Sequence, residues 1–157
     1  MAHFTPETFD DSLLGMLLGR TENLKNRILD KHLEPHSLTA QQFKVLIMIR
    51  RFCAQTPADL CRMLSLDSGS MTRMLDRLEQ KDLLTRTRSE ADRRQVRLAL
   101  TQAGQALSDL LPYVGAQAMN EMVGVLEHSE LATLEKILTK ILVASADPIT
   151  LARMAGK

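Results

Sequence analysis

One stretch, Thr56 to Thr101, limits most sharply what this chain can fold into. It holds a proline-started helix, a short turn, a second helix with a polar outer face, and two short strands joined by an arginine-rich loop. Thr56-Pro57-Ala58-Asp59 starts the first helix, because threonine caps, proline fits the first turn and Asp59 complements the positive helix end. Leu60, Met63 and Leu64 supply its inner face, and Ser65-Leu66-Asp67 is the turn. From Ser68 to about Lys81 the apolar residues Met71, Met74, Leu75 and Leu78 recur at helical spacing, so the second helix buries one stripe. Its outward set is then Gly69, Ser70, Thr72, Arg73, Asp76 and Arg77. Leu84 to Arg88 and Val96 to Leu100 read as strands, the second alternating apolar Val96, Leu98 and Leu100 with Arg97 and Ala99.

That order is the order of a winged helix-turn-helix, which holds one helix in a DNA major groove while its hairpin reaches the backbone or the minor groove. The chemistry suits the task. Ser68, Ser70 and Thr72 offer hydroxyls, Arg73 and Arg77 offer guanidinium groups that pair bidentately with guanine, and Gly69 removes a side chain where close approach is useful. Arg86, Arg88, Arg93, Arg94 and Arg97 crowd the hairpin. Arg93 and Arg94 fall at its tip, where a narrow, electronegative minor groove can receive a cation. Asp92 would be repelled by phosphate and is read as wing support, bonding backbone amides or a neighbouring arginine. The expected DNA-binding residues are Ser68, Gly69, Ser70, Thr72, Arg73, Arg77, Arg93 and Arg94.

Charge is distributed to match. Residues 40–100 carry 12 Lys and Arg against 7 Asp and Glu, while the flanks carry 8 against 12, so a centre of +5 lies between ends of −4. A basic centre on a separate helical support suits a polyanion, although a solvated helical surface produces the same count. With four Phe, one Tyr and no Trp, and with Leu, Ala and Met abundant, the fold is expected to be mainly α with a small β-hairpin. No signal peptide and no apolar run of about 18 residues is found, which points to a cytoplasmic protein without membrane contact. Cys53 and Cys61 lack metal spacing and read as reduced thiols. Pro35 interrupts His32 and His36, so no metal and no cofactor is expected. An enzyme is disfavoured for want of a phosphate-binding glycine loop, a paired His-Glu motif or a nucleophile with its base. A protein-interaction adaptor that uses the winged unit without specific DNA binding remains the alternative.

Outside the winged unit, Asp10, Asp11 and Ser12 offer caps for a helix bearing Leu13, Leu14, Leu17, Leu24 and Ile28, which Pro35 ends. Thr39 caps a helix with Phe43, Leu46, Ile47 and Ile49. Thr101 caps a long helix running through Leu107, Leu110, Leu111, Val114, Ala118, Met122 and Val125, and a last helix with Leu131, Leu134, Leu138, Ile141 and Leu142 ends near Pro148. These terminal helices carry more apolar surface than a thin winged unit covers. A partner chain is the expected cover, with packing of the two on each other in a monomer as the other possibility. Arg20 shares a face with Leu17, Leu24 and Ile28, where a cation needs either a ligand carboxylate or a structural ion pair.

Three motifs together resemble the MarR family of bacterial transcription regulators: Leu38-Thr39-Ala40-Gln41-Gln42-Phe43-Lys44-Val45-Leu46, the run from Leu66 to Leu78, and Asp92-Arg93-Arg94 before Leu100-Thr101. The resemblance spans about residues 10–143. It implies a single domain over 1–157, with dimerisation helices at 10–37 and 102–145 around a winged helix-turn-helix at 38–101. It also implies a homodimer on double-stranded operator DNA, repressing transcription and released by a small aromatic acid or phenolic effector. By the same resemblance Pro57, Thr72, Met74 and Arg86 match ligand-lining positions, beside Arg20. The first helix holds no early cysteine, which weighs against an oxidation signal. Asp82 departs from the family's usual glycine after the recognition helix, and the same left-handed turn is expected at a modest stability cost.

Overall fold

The computed structural model describes residues 3–52, 54–88 and 95–155. It consists of α1 (Pro6–Asp10), α2 (Leu14–Leu33), a 3-10 turn (Glu34–His36), α3 (Ala40–Phe52), α4 (Pro57–Leu64), α5 (Ser68–Gln80), β1 (Leu84–Arg88), β2 (Val96–Leu100), α6 (Gln102–Val123), α7 (His128–Ala144) and α8 (Pro148–Ala155). The strands form one antiparallel hairpin, with Leu84 opposite Leu100 and Arg88 opposite Val96. The mainly helical fold with a small hairpin agrees with the composition.

Caps explain most of the boundaries. Thr56 accepts from the Asp59 amide while Asp59 reaches back to the Thr56 amide, so the expected start of α4 is a reciprocal capping box. Thr39 and Gln42 exchange the same pair of bonds at the head of α3. The Thr101 hydroxyl accepts from the Gly104 amide at 2.9 Å at the start of α6.

Three boundaries differ from the sequence reading. Thr5 and Thr8 form their own capping box, which starts α1 at Pro6, so Asp10 and Asp11 close this short helix and do not open α2. Only Ser12 contributes there, accepting from the Leu14 amide at 3.4 Å. Pro148 opens α8 and does not merely end α7, because a first-turn proline costs no helical hydrogen bond. Val125 lies beyond α6, in the connection to α7, and is exposed.

The core gathers beneath the winged unit, where Leu33 of α2, Leu46 of α3, Leu60 of α4, Met71, Leu75 and Leu78 of α5, Leu84 of β1 and Leu111 of α6 are all fully buried. Burial of each such side chain contributes about 1.5–3 kcal/mol. In contrast α7 buries no residue, and its substantial packing is against α8. The two terminal helices therefore do not cover one another. Among the described residues no helix is long and apolar enough to cross a membrane.

Candidate nucleic-acid interface

The turn between α4 and α5 is set by two backbone choices. Ser65 takes left-handed geometry at φ 52 and lets the Leu66 amide donate to the Cys61 carbonyl at 3.1 Å. Asp67 then caps α5, accepting from the Ser70 amide at 2.8 Å, a role its place in the turn had hidden. The Ser70 hydroxyl and amide hold the Asp67 carboxyl below its usual range, so it stays ionised at neutral pH. One of the free amides at the head of α5 is thus already taken by a protein carboxylate.

With Met71, Leu75 and Leu78 buried, the outward face of α5 presents Ser68, Gly69, Thr72, Arg73 and Arg77 to solvent, with Ser70 half-buried beside them. The Arg73 guanidinium donates to Ser70 Oγ at 3.2 Å, and Thr72 Oγ1 donates back to the Ser68 carbonyl at 2.8 Å. A methyl group at Gly69 would lie 3.2 Å from the Asp67 carboxylate oxygen that caps α5 and 3.8 Å from Arg73 Nη1, so a side chain there would press on the cap. An α-helix whose exposed face is cationic and small-polar meets the requirements of groove insertion.

The hairpin is fastened to the helix-turn-helix at three points. Asp82 follows α5 at φ 55, the expected left-handed turn, and its carbonyl accepts from Thr101 Oγ1 at 2.6 Å. Leu98 of β2 donates to the Gln55 carbonyl at 2.8 Å while the Arg97 guanidinium donates to Gln55 Oε1 at 2.8 Å, so the segment before α4 adds a rung to the wing. Arg86 of β1 is gripped from α5: its guanidinium meets Glu79 Oε2 at 2.5 Å and Asp76 Oδ1 at 2.6 Å, and its amide donates to Glu79 Oε1. The Arg86 side chain holds the Glu79 carboxyl below its usual range. Asp92, Arg93 and Arg94, the expected wing tip, lie outside the described residues, as does Cys53.

The hairpin arginines thus divide by role. Arg86 and Arg97 are occupied by protein partners, and Arg88 is exposed. Glu79 and Gln55 went unnoticed in the sequence because neither is marked by a motif; only the fold brings them to an arginine.

The expected ligand residues are dispersed. Pro57 stands half-buried at the head of α4, Thr72 is exposed on α5, Met74 packs against the core and Arg86 is already paired. Arg20 is exposed on α2, beside a shallow cleft lined by Leu17, Thr21, Asn23, Leu24 and Arg27. Leu17 and Leu24 are exposed as well, so within one chain Arg20 has no apolar burial to compensate. His32 Nε2 lies 2.8 Å from Glu121 Oε2, and Cys61 is a half-buried free thiol against the core.

A second cleft, of about 490 Å³, runs between α2, α3 and α6. Leu29, Phe43, Ile47, Leu111, Pro112 and Met119 provide its apolar walls, and the Phe43 ring lies beside Gly115 of α6, where a Cβ would make ordinary contact with it.

The folded α4–turn–α5 unit, its basic outward face and the fastened wing define a winged helix-turn-helix DNA-binding transcriptional regulator. Residues 38–96 match the MarR family. Across 140 residues the chain is 39% identical to the multiple antibiotic resistance protein MarR of Escherichia coli (strain K12), covering 88% of this chain and 97% of that relative. The chain belongs to the MarR family, whose members are sequence-specific DNA-binding regulators and not enzymes. Its fold is similar to that of an E. coli MarR mutant complexed with operator DNA, with a TM-score of 0.77, 39% identity and coverage of 85% of this chain and 96% of that one. It is also similar to Bordetella bronchiseptica BpsR, whose DNA binding is regulated by 6-hydroxynicotinic acid, with a TM-score of 0.72, 28% identity and coverage of 81% and 91%. The adaptor alternative gives way to DNA binding on this assignment.

Proposed function

We propose that this regulator is a cytoplasmic homodimeric repressor that leaves its operator when a small aromatic acid or phenolic effector binds. The exposed, basic and small-polar face of α5 carries the reading. In it, Ser68, Gly69, Ser70, Thr72, Arg73 and Arg77 contact the major groove, while Arg93 and Arg94, supported by Asp92, contact the minor groove or its phosphates. Two copies of α5 must meet one face of the duplex, so the operator is an imperfect palindrome with half-sites about one helical turn, roughly 10 base pairs, apart. The dimer reading is supported by α7, which buries nothing and exposes Leu134, Ile137, Ile141 and Leu142 along one helix.

The effector reading is supported by BpsR, whose regulator is an aromatic acid. Pro57, Thr72, Met74 and Arg86 form one candidate contact set and Arg20 another. An acid reaching Arg86 competes with Glu79 and Asp76 for the guanidinium, so its binding loosens the grip of α5 on the wing. Selection of genomic fragments bound by the purified protein, repeated with salicylate, tests the whole reading. The expected result is enrichment of a palindrome that salicylate depletes; retention of fragments without common sequence is the contrary result.

A further inference from the structure

We propose that Lys81, the residue that closes α5, is a positioning residue for operator recognition: its ammonium ties the recognition helix to the corner between α2 and α3 and so sets the half-site spacing that the protein selects. Lys81 Nζ donates to the Ser37 carbonyl and to Gln42 Oε1, the second at 3.1 Å. Both acceptors belong to one fixed corner. Ser37 takes left-handed geometry at φ 53 after the 3-10 turn, and Gln42 is buried in the first turn of α3, where its Oε1 also accepts from the Thr39 amide at 3.2 Å. Asp30 Oδ1 of α2 accepts from the Ala40 amide at 2.5 Å, so the head of α3 is itself held from α2.

Among the described residues, no other hydrogen bond or ion pair joins α5 to α2, α3 or the turn between them. Asp76 and Glu79 go to Arg86 of the wing, and Ser70, Thr72 and Arg73 bond within α5 or to its N-cap. Met71, Leu75 and Leu78 seat the helix on the core, but apolar contact is non-directional and fixes its depth more firmly than its tilt. The charged donor at the C-terminal end is what fixes the tilt, since its bonds have a preferred direction and are stronger than those of a neutral pair.

Small tilts matter on a duplex. At about 1.5 Å per residue α5 is roughly 20 Å long, so a tilt of about 5° carries its free end about 1.7 Å. Displaced by that amount in opposite directions, two recognition helices change their separation by about 3.4 Å, the rise of one base pair. The inference rests on the homodimer reading above, because spacing has meaning only for two recognition helices on one duplex.

Binding titrations test it, on operators whose half-site spacing is shortened or lengthened by one base pair, with the unmodified protein, Lys81→Met and Lys81→Arg. Lys81 is exposed, so Lys81→Met should keep the parent's thermal unfolding midpoint to within a few degrees. The unmodified protein is expected to show one sharp spacing optimum. In Lys81→Met, affinity for the best-spaced operator should fall about tenfold, while the penalty for a base pair added or removed should shrink by about tenfold. Base preferences within each half-site and the salt slope should not change, because the ammonium is engaged by protein acceptors and not by phosphate. Lys81→Arg, which can donate to the same two acceptors, should restore the parent's spacing profile. An optimum as sharp in Lys81→Met as in the parent overturns the proposal, and a salt slope lower by about one would then assign Lys81 to a phosphate. An unmodified protein without a spacing optimum overturns the homodimer reading and this inference together, leaving the DNA-binding assignment intact.

Discussion

A methyl group on Gly104 would stand 1.8 Å from the Leu83 carbonyl oxygen, closer than any non-bonded pair can lie. The Leu83 carbonyl also accepts from the Thr101 amide at 3.2 Å, so it cannot withdraw without breaking the junction between the wing and α6. Gly104→Ala is therefore expected to destabilise the fold by about 3 kcal/mol or more, measured as a lower urea midpoint with unchanged slope. On the DNA face the consequences fall on recognition instead. Arg73→Ala should remove discrimination at particular bases, by about 1–3 kcal/mol for a bidentate contact, whereas Arg94→Ala should weaken all sequences alike and lower the salt slope by about one. Binding titrations on mutated operators separate the two, and uniform loss in both variants contradicts the division of roles.

At the scale of elements, the wing does not stand by itself: two strands make a marginal sheet, and Glu79 and Asp76 of α5 fasten it through Arg86. Because the folded Glu79 carboxyl lies below its ordinary value of 4.5, the contact contributes fully above that value and is lost as the pH falls through the lower folded one. Between pH 6 and 8 the fastening should accordingly be independent of pH. Glu79→Gln removes the Glu79–Arg86 charge pair at every pH while keeping the shape, leaving Asp76 as the one carboxylate on Arg86. Faster amide exchange along β1 and β2, with protection in α4 unchanged, is the expected signature. Equal exchange in the hairpin of variant and parent shows that other contacts hold the wing.

For the whole molecule, the question is what covers α7 and the first turns of α2. Ile141 is 56% exposed and Leu17 is 52% exposed, and their neighbours Leu134, Ile137, Leu142, Leu13 and Leu14 are exposed with them. Surface of this kind on two separate helices matches an interface in which copies of one chain share a symmetry axis. Leu134→Lys with Ile141→Lys should shift sedimentation at micromolar concentration from dimer to monomer and weaken operator binding in parallel, since two half-sites then no longer act together. A monomeric unmodified protein with full operator affinity would falsify the dimer reading.

The features legible in the residues alone were local. Caps, turns and periodicity act over three or four residues, so Thr56, Thr101, the stripe from Met71 to Leu78 and both strand ranges were legible, whereas the left-handed turn at Asp82 was expected from the family resemblance. The same locality misled at the ends, where two aspartates resembled a cap although Thr5 had already started a helix, and where Pro148 resembled a stop although it begins α8. Tertiary structure decided the partners. Arg86 meets Glu79 and Asp76, Arg97 meets Gln55, and Gly104 lies under the Leu83 carbonyl only because packing brings separate elements together. The α8 helix reaches the cleft of α2, α3 and α6 from the far end of the chain. Such meetings depend on the distance between elements in space, which a pattern of three or four residues does not encode.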